Sequence, residues 1–114
     1  VRTALRAGLY YAAREIMSQR KSQQKLTPAM VAFDLGVSVR QLHVVFERAE
    51  LSFSRTLSQM RAAEAKRLLL QFPALPVTQV AFACGFDSLA TFYRVFSGIY
   101  NMAPGDFRAI NATG

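Results

Sequence analysis

Apolar residues along this chain recur three and four apart, the helical spacing, and never alternate as a half-buried strand would. Leu5, Leu9, Ala13 and Ile16 form one stripe and predict a first helix over about 2–19. A polar, basic loop follows from Arg20 to Lys25. Thr27 and Pro28 read as an N-cap and a first-turn proline, opening a second helix that Gly36 ends. Ser38 caps a third helix running to about Ala49. Ser52 caps a long fourth helix reaching about Gln71, with Phe53, Leu57, Met60, Leu68 and Leu69 on its inner side. Pro73 and Pro76 break the pattern, so 72–77 reads as a tight connection. A fifth helix spans about 77–84 and stops at Gly85; Ser88 caps a sixth, which runs to about Gly98. Pro104 begins a short closing helix over about 104–110. The pattern predicts an all-α chain of about seven helices and no sheet.

Part of this pattern occurs twice. Val31-Ala32-Phe33 and Gly36 return 49 residues later as Val80-Ala81-Phe82 and Gly85. One extra residue then follows the second glycine, so Ser38, Val45 and Phe46 match Ser88, Val95 and Phe96 at an offset of 50. Each copy has a short helix, a glycine turn, a serine cap and a second helix, the layout of a helix-turn-helix. The two copies occupy 26–49 and 77–98, joined by the connecting helix at 52–71. At ~1.5 Å per residue that helix would measure about 30 Å. Recognition helices in successive major-groove faces sit about 34–36 Å apart, so a rigid two-headed reader is geometrically sensible.

Helical spacing also sorts the second helix of each copy into faces. Leu42, Val45, Phe46 and Ala49 point inward, as do Phe92, Val95, Phe96 and Ile99. Arg40, His43, Val44 and Glu47 point outward with Gln41 at the edge. Their counterparts are Ala90, Thr91, Arg94 and Ser97, flanked by Leu89 and Tyr93. The aromatics Phe33, Phe46, Phe82, Phe92 and Phe96 recur at positions expected to be core. Tyr10 and Tyr11 face either the core or a further domain.

Composition narrows the function. A length of 114 residues fits one domain, and 52% hydrophobic residues can bury a core. Fourteen Lys and Arg against seven Asp and Glu give a net charge of +7, and the pI is about 10.3. That surplus favours an anionic partner, nucleic acid or a membrane surface, against a merely solvated basic surface. No apolar run reaches the ~18–20 residues that cross a bilayer, and a membrane-surface role needs an exposed aromatic–basic helix, of which the first helix has only part, so no membrane partner is expected. One cysteine, Cys84, excludes an internal disulfide, fits a reducing compartment and reads as a small buried hydrophobe. No zinc-spaced Cys/His cluster, paired carboxylates, nucleophile–base pair or phosphate loop is present. No catalytic residue, metal or cofactor is therefore expected. His43, the only histidine, fits base contact or solvent exposure better than catalysis.

Arg40, Gln41, His43 and Arg94 can donate to base edges, and arginine can bond guanine O6 and N7 in bidentate fashion. Leu89 and Ala90 admit two readings, contact with a thymine methyl or a weak core role. Candidates for backbone phosphates are Arg48 and Arg55, with the hydroxyls and capped helix starts at Ser38, Ser88, Thr91 and Ser97. Lys66, Arg67 and the loop cations Arg20, Lys21 and Lys25 join them.

Gly36-Val37-Ser38 with Leu42 and Phe46 begins a resemblance that the second copy makes more specific. Ala81, Gly85-Phe86, Ser88, Phe92, Arg94, Phe96, Pro104, Phe107 and Arg108 complete it. From Leu26 to Ile110 the chain resembles the DNA-binding domain of AraC/XylS-type bacterial transcription regulators. The resemblance implies two helix-turn-helix subdomains that each insert a helix into the major groove of double-stranded promoter or operator DNA. It places Arg40, His43, Val44, Leu89, Ala90 and Arg94 against the bases. It also implies a separate effector-binding or dimerisation domain, which the start at Val1 would omit, RNA polymerase as a further partner, and a cytoplasmic, nucleoid-associated location. Departures matter as well. Val44 stands where many members have arginine, while Arg94 keeps it. Glu47 and Ser97 stand where lysine is frequent. Glu50 and Asn101 replace turn glycines, and glutamate tolerates a left-handed conformation poorly. Arg94 is therefore expected to discriminate more than any residue of the third helix. The competing reading is a basic helical protein-interaction module, which Glu47 and Glu50 favour.

Overall fold

The computed structural model describes residues 2–112, with side chains described from Arg6 onward. Leu5, part of the first apolar stripe, lies outside the described side chains. The helices are α1 (Arg2–Arg20), α2 (Pro28–Leu35), α3 (Val39–Glu47), α4 (Phe53–Gln71), α5 (Val77–Ala83), α6 (Leu89–Tyr100) and α7 (Pro104–Asn111). No strand occurs among the described residues. The two largest departures from the expected bounds are at helix ends. α3 stops at Glu47, before Ala49, and α6 runs past Gly98 to Tyr100. Asn101 ends α6 at φ 60°, the left-handed conformation its side chain tolerates. Glu50 is different: among the described residues Asn101 is the sole non-glycine with positive φ. α3 instead ends through Arg48 in the right-handed region, so the acid at 50 imposes no strain.

The chain divides into two compact units, one around each copy of the repeat. The first gathers residues up to 21 and 25–57; the second gathers 22–24 and residues from 58 onward. In the first, Ala13 and Met17 of α1, Val31 and Ala32 of α2, and Leu42, Val45 and Phe46 of α3 are buried with Leu26, Phe53 and Leu57. Phe46 meets Tyr10 and Phe53 edge-on, with ring centroids 5.4 and 5.7 Å away. Tyr10 thus packs on the core, whereas Tyr11 is 70% exposed. Arg20 pairs with Asp34 and ties the last turn of α1 to α2.

In the second unit Ala62, Ala65 and Leu69 of α4 are buried with Val80, Ala81, Cys84, Phe86, Phe92, Phe96 and Phe107. Phe96 lies at the centre, 5.7 Å from both Phe92 and Phe107 and 4.7 Å from Tyr100. Cys84 is fully buried, as a small apolar residue should be. Arg108 of α7 donates to the carbonyls of Leu69 and Phe72, both at 3.1 Å. These lie at and just past the end of α4, where helix carbonyls lack intrahelical partners.

Three residues expected inside are not. Phe33 is 84% exposed, Phe82 47% and Ile99 38%. A helix advances about 100° per residue, so a short helix buries a narrow strip. In α2 and α5 that strip is filled by the preceding Val-Ala pair, which turns the phenylalanine outward. In α6 the row Phe92, Phe96, Tyr100 occupies the inner side and leaves Ile99 one step off it.

Arg108→Met keeps an aliphatic stem but removes both hydrogen bonds. Bonds from charged groups are worth about 1.5–3 kcal/mol, so urea unfolding should show a loss of about 2 kcal/mol. A loss below about 0.5 kcal/mol would mean that water satisfies those carbonyls equally well.

Candidate nucleic-acid interface

Each copy turns from its first helix to its second by the same pair of backbone bonds. The amide after the glycine donates back to the carbonyl five residues earlier, Val37 to Ala32 at 3.0 Å and Phe86 to Ala81 at 3.1 Å. The glycine amide donates three residues back, Gly36 to Phe33 and Gly85 to Phe82, both at 3.1 Å. This is the Schellman termination, which requires a left-handed residue. Gly36 and Gly85 supply it at φ 72° and 98°. The extra residue of the second copy comes after this closure, so it lengthens the approach to Ser88 without changing how the helix ends. In the first copy the chain bends by 101° between α2 and α3, within the range of about 90–120° for this motif.

The serine caps then start the second helices. Ser38 Oγ accepts from the Gln41 amide at 3.1 Å, and the Ser38 amide donates to Gln41 Oε1 at 2.9 Å. This reciprocal capping box fixes the orientation of α3. In the second copy Ser88 Oγ accepts from the Thr91 amide at 3.1 Å and pairs with the Thr91 hydroxyl at 3.0 Å. Three of the expected phosphate ligands, Ser38, Ser88 and Thr91, therefore spend hydroxyl bonding capacity on the helix starts. Ser97 is half-buried on α6.

Arg40, Gln41 and His43 are exposed on α3, and Val44 is half-buried. Leu89, Ala90, Tyr93 and Arg94 are exposed on α6. The guanidiniums of Arg40 and Arg94 and the imidazole of His43 have no ion pair or hydrogen bond among the described residues, so their donors are available. Gln41 differs, because its carbonyl oxygen is held in the capping box and its amide group alone remains to read a base. Arg40, Gln41 and Val44 line one cleft together.

Several cations counted as phosphate candidates are engaged elsewhere. Arg20 pairs with Asp34, and Lys21 donates to the Ser18 carbonyl at 3.0 Å. Arg67 pairs with Glu64 at 2.6 Å and also bonds Gln71. Lys66 stands over the Tyr100 ring, 5.2 Å from its centroid. Arg61, never a candidate, donates to the Gln23 carbonyl at 2.7 Å. Burial lowers its pKa, and the charge of Asp87 acts in the opposite direction. Arg48 and Arg55 remain exposed, with no guanidinium partner among the described residues, and so does the Lys25 ammonium. Sequence reading missed Arg6, which lines the cleft beside Arg40, Gln41 and Val44. Helical spacing within α3 holds no signal for it, because it arrives from α1.

A family model for the helix-turn-helix domain matches residues 31–110. The chain is similar to the HTH-type transcriptional regulator GlxA of Rhizobium meliloti, 38% identical over 74 residues, which cover 64% of this chain and 22% of that protein. It thus spans less than a quarter of that relative's length. The C-terminal domain of AraT, a response regulator from Geobacillus stearothermophilus, has a similar structure. It gives a TM-score of 0.81 at 28% identity, over 90% of this chain and 84% of that one. A transcriptional regulator from Chromobacterium violaceum, described among AraC-type DNA-binding domain-containing proteins, gives 0.82 at 27% identity, over 96% and 97%.

Gln41→Ala should lower thermal stability by about 1 kcal/mol, because it opens the capping box. Gln41→Glu should retain that stability, since glutamate fits the same place in the box. An alanine variant as stable as the parent would show that the box contributes nothing to the fold.

Proposed function

The chain belongs to the AraC-type helix-turn-helix family and is the DNA-binding domain of a transcription regulator; from that premise we propose how it reads DNA. α3 and α6 each enter the major groove of double-stranded promoter or operator DNA, about one helical turn apart. Arg40, His43, Val44 and the amide of Gln41 meet bases from α3. Leu89, Ala90 and Arg94 do so from α6. The observation that carries this reading is the duplicated turn: the same closure and a serine cap present two outward faces whose arginines lack protein partners.

Roles within the interface follow from the chemistry. Arg40 and Arg94 are long enough to bond guanine in bidentate fashion, while Leu89, Ala90 and Val44 offer apolar contact to thymine methyls. Arg94 is the strongest discriminator, since the first copy has Val44 where the second has arginine. Arg48, Arg55 and Lys25, with the backbone amides at the starts of α3 and α6, hold phosphates. The much greater length of GlxA supports a further effector-binding or dimerisation domain on the same polypeptide. RNA polymerase is then a second partner, and the cytoplasm, at the nucleoid, is the site of action.

Selection of bound sequences from a random duplex library tests the reading. Two enriched boxes with centres about 10–10.5 bp apart are expected, whereas one short box would leave a single reading head. With about four phosphates neutralised, the slope of log affinity against log salt should be about −3.6. A flat salt response would overturn DNA binding, and salt-insensitive capture of a protein partner would favour the interaction module. Arg94→Ala should remove about 1–3 kcal/mol of discrimination. Should Arg40→Ala impair cognate binding while Arg94→Ala does not, the ranking of the two is reversed.

A further inference from the structure

We propose that α1 is part of the DNA interface, where Arg6 and Arg48 grip one backbone phosphate beside α3. This rests on the reading of α3 as a DNA-reading helix and adds a contact from outside the helix-turn-helix. Two rows of side chains meet at the place in question. Arg6 and Tyr10 are one turn apart on α1, and Arg48, the residue that caps α3 in right-handed backbone, follows Val44 by four positions, so each pair lies on one side. All four line one cleft of about 310 Å³, together with Tyr11 and Glu50. Across Val44, Arg6 also borders the second cleft, which holds Arg40 and Gln41.

The rows are held in place by packing rather than by the cations. Tyr10 sits edge-on against the buried Phe46, and Arg14 donates to its hydroxyl at 3.4 Å. The Arg6 and Arg48 guanidiniums have no ion pair or hydrogen bond among the described residues, even though Glu50 lines the same cleft. Two guanidiniums facing one cleft repel until an anion lies between them. Each presents a planar fork of donors that matches phosphate oxygens. Tyr11, 70% exposed, adds a hydroxyl donor. Because the cleft adjoins Val44 on the outer side of α3, its anion is a phosphate bordering the groove that α3 occupies. Arg6 thereby restores, as a phosphate contact, the cation that valine at 44 denies this helix.

Binding of a fluorescent 30-bp random-sequence duplex between 50 and 200 mM NaCl gives the first readout. The phosphate is held only while both guanidiniums grip it, so Arg6→Gln releases it and should make the log–log slope shallower by about 0.9. The parent should then lose about 3.5-fold more affinity than the variant across that range. Arg6→Lys should restore the slope, and Glu50→Gln should tighten binding. Ethylation interference on a library-selected duplex gives the second readout. One phosphate that interferes for the parent should fall silent in Arg6→Gln and in Arg48→Gln, yet still interfere in Arg40→Ala. An unchanged slope for Arg6→Gln overturns the proposal, as does an interference pattern identical to the parent's. Should the parent itself show no salt-dependent binding, the DNA reading fails with it; normal parent binding beside an unaltered Arg6→Gln sinks the clamp alone.

Discussion

Helices of seven to nine residues are marginal in water, because nucleation is costly and few backbone bonds repay it. α2, α3 and α5 are that short, so the fold depends on what happens at their ends. The glycine after α2 and α5 returns two amides to the last carbonyls, and the following serine takes up an orphan amide of the next helix. Both operations are local and leave the inner faces free to bury their apolar strips. An L-residue at Gly36 would incur about 1–2 kcal/mol of left-handed strain. Weakening the turn would release the core contacts and the direction of the outward face together.

Local control of helix ends explains why so much of the architecture was legible in the sequence. Thr27 with Pro28, Ser38, Ser52, Ser88 and Pro104 each announce a helix start within a residue or two, and the structure uses every one. Asn101, read as standing in for a turn glycine, takes the left-handed end three residues past the expected stop at Gly98. Which residue of a short helix faces inward is a subtler matter. One step of 100° separates Ala32 from Phe33 and Ala81 from Phe82. The larger side chain carries the stronger apolar signal, yet the smaller one lies against the core.

Charge was legible as a total and not as a distribution. The +7 surplus includes cations that serve the fold, and their partners lie far along the chain. Arg20 finds Asp34 fourteen residues on; Arg61 reaches back to Gln23 across 38; Arg108 reaches Leu69 across 39. No window of sequence reveals such pairings. The reverse also holds, since Arg6 is unremarkable within α1 and gains meaning only because α1 sets it beside Val44.

The capping box at Ser38 and Gln41 has an evolutionary consequence. Arg40 and His43 take no part in the hydrogen bonds of the turn, so on the proposed reading drift there redirects the first reading head without touching its scaffold. Gln41 sits on the same outward helix while its carbonyl oxygen closes the box. If Gln41 reads a base as proposed, heritable change at that one position alters sequence preference and fold integrity in a single step. Thr91, the matching residue of the second copy, is bound to Ser88 differently, hydroxyl to hydroxyl rather than to the Ser88 backbone amide. On the proposed reading, the first head carries one position where innovation is tethered to foldability, surrounded by others where it is not.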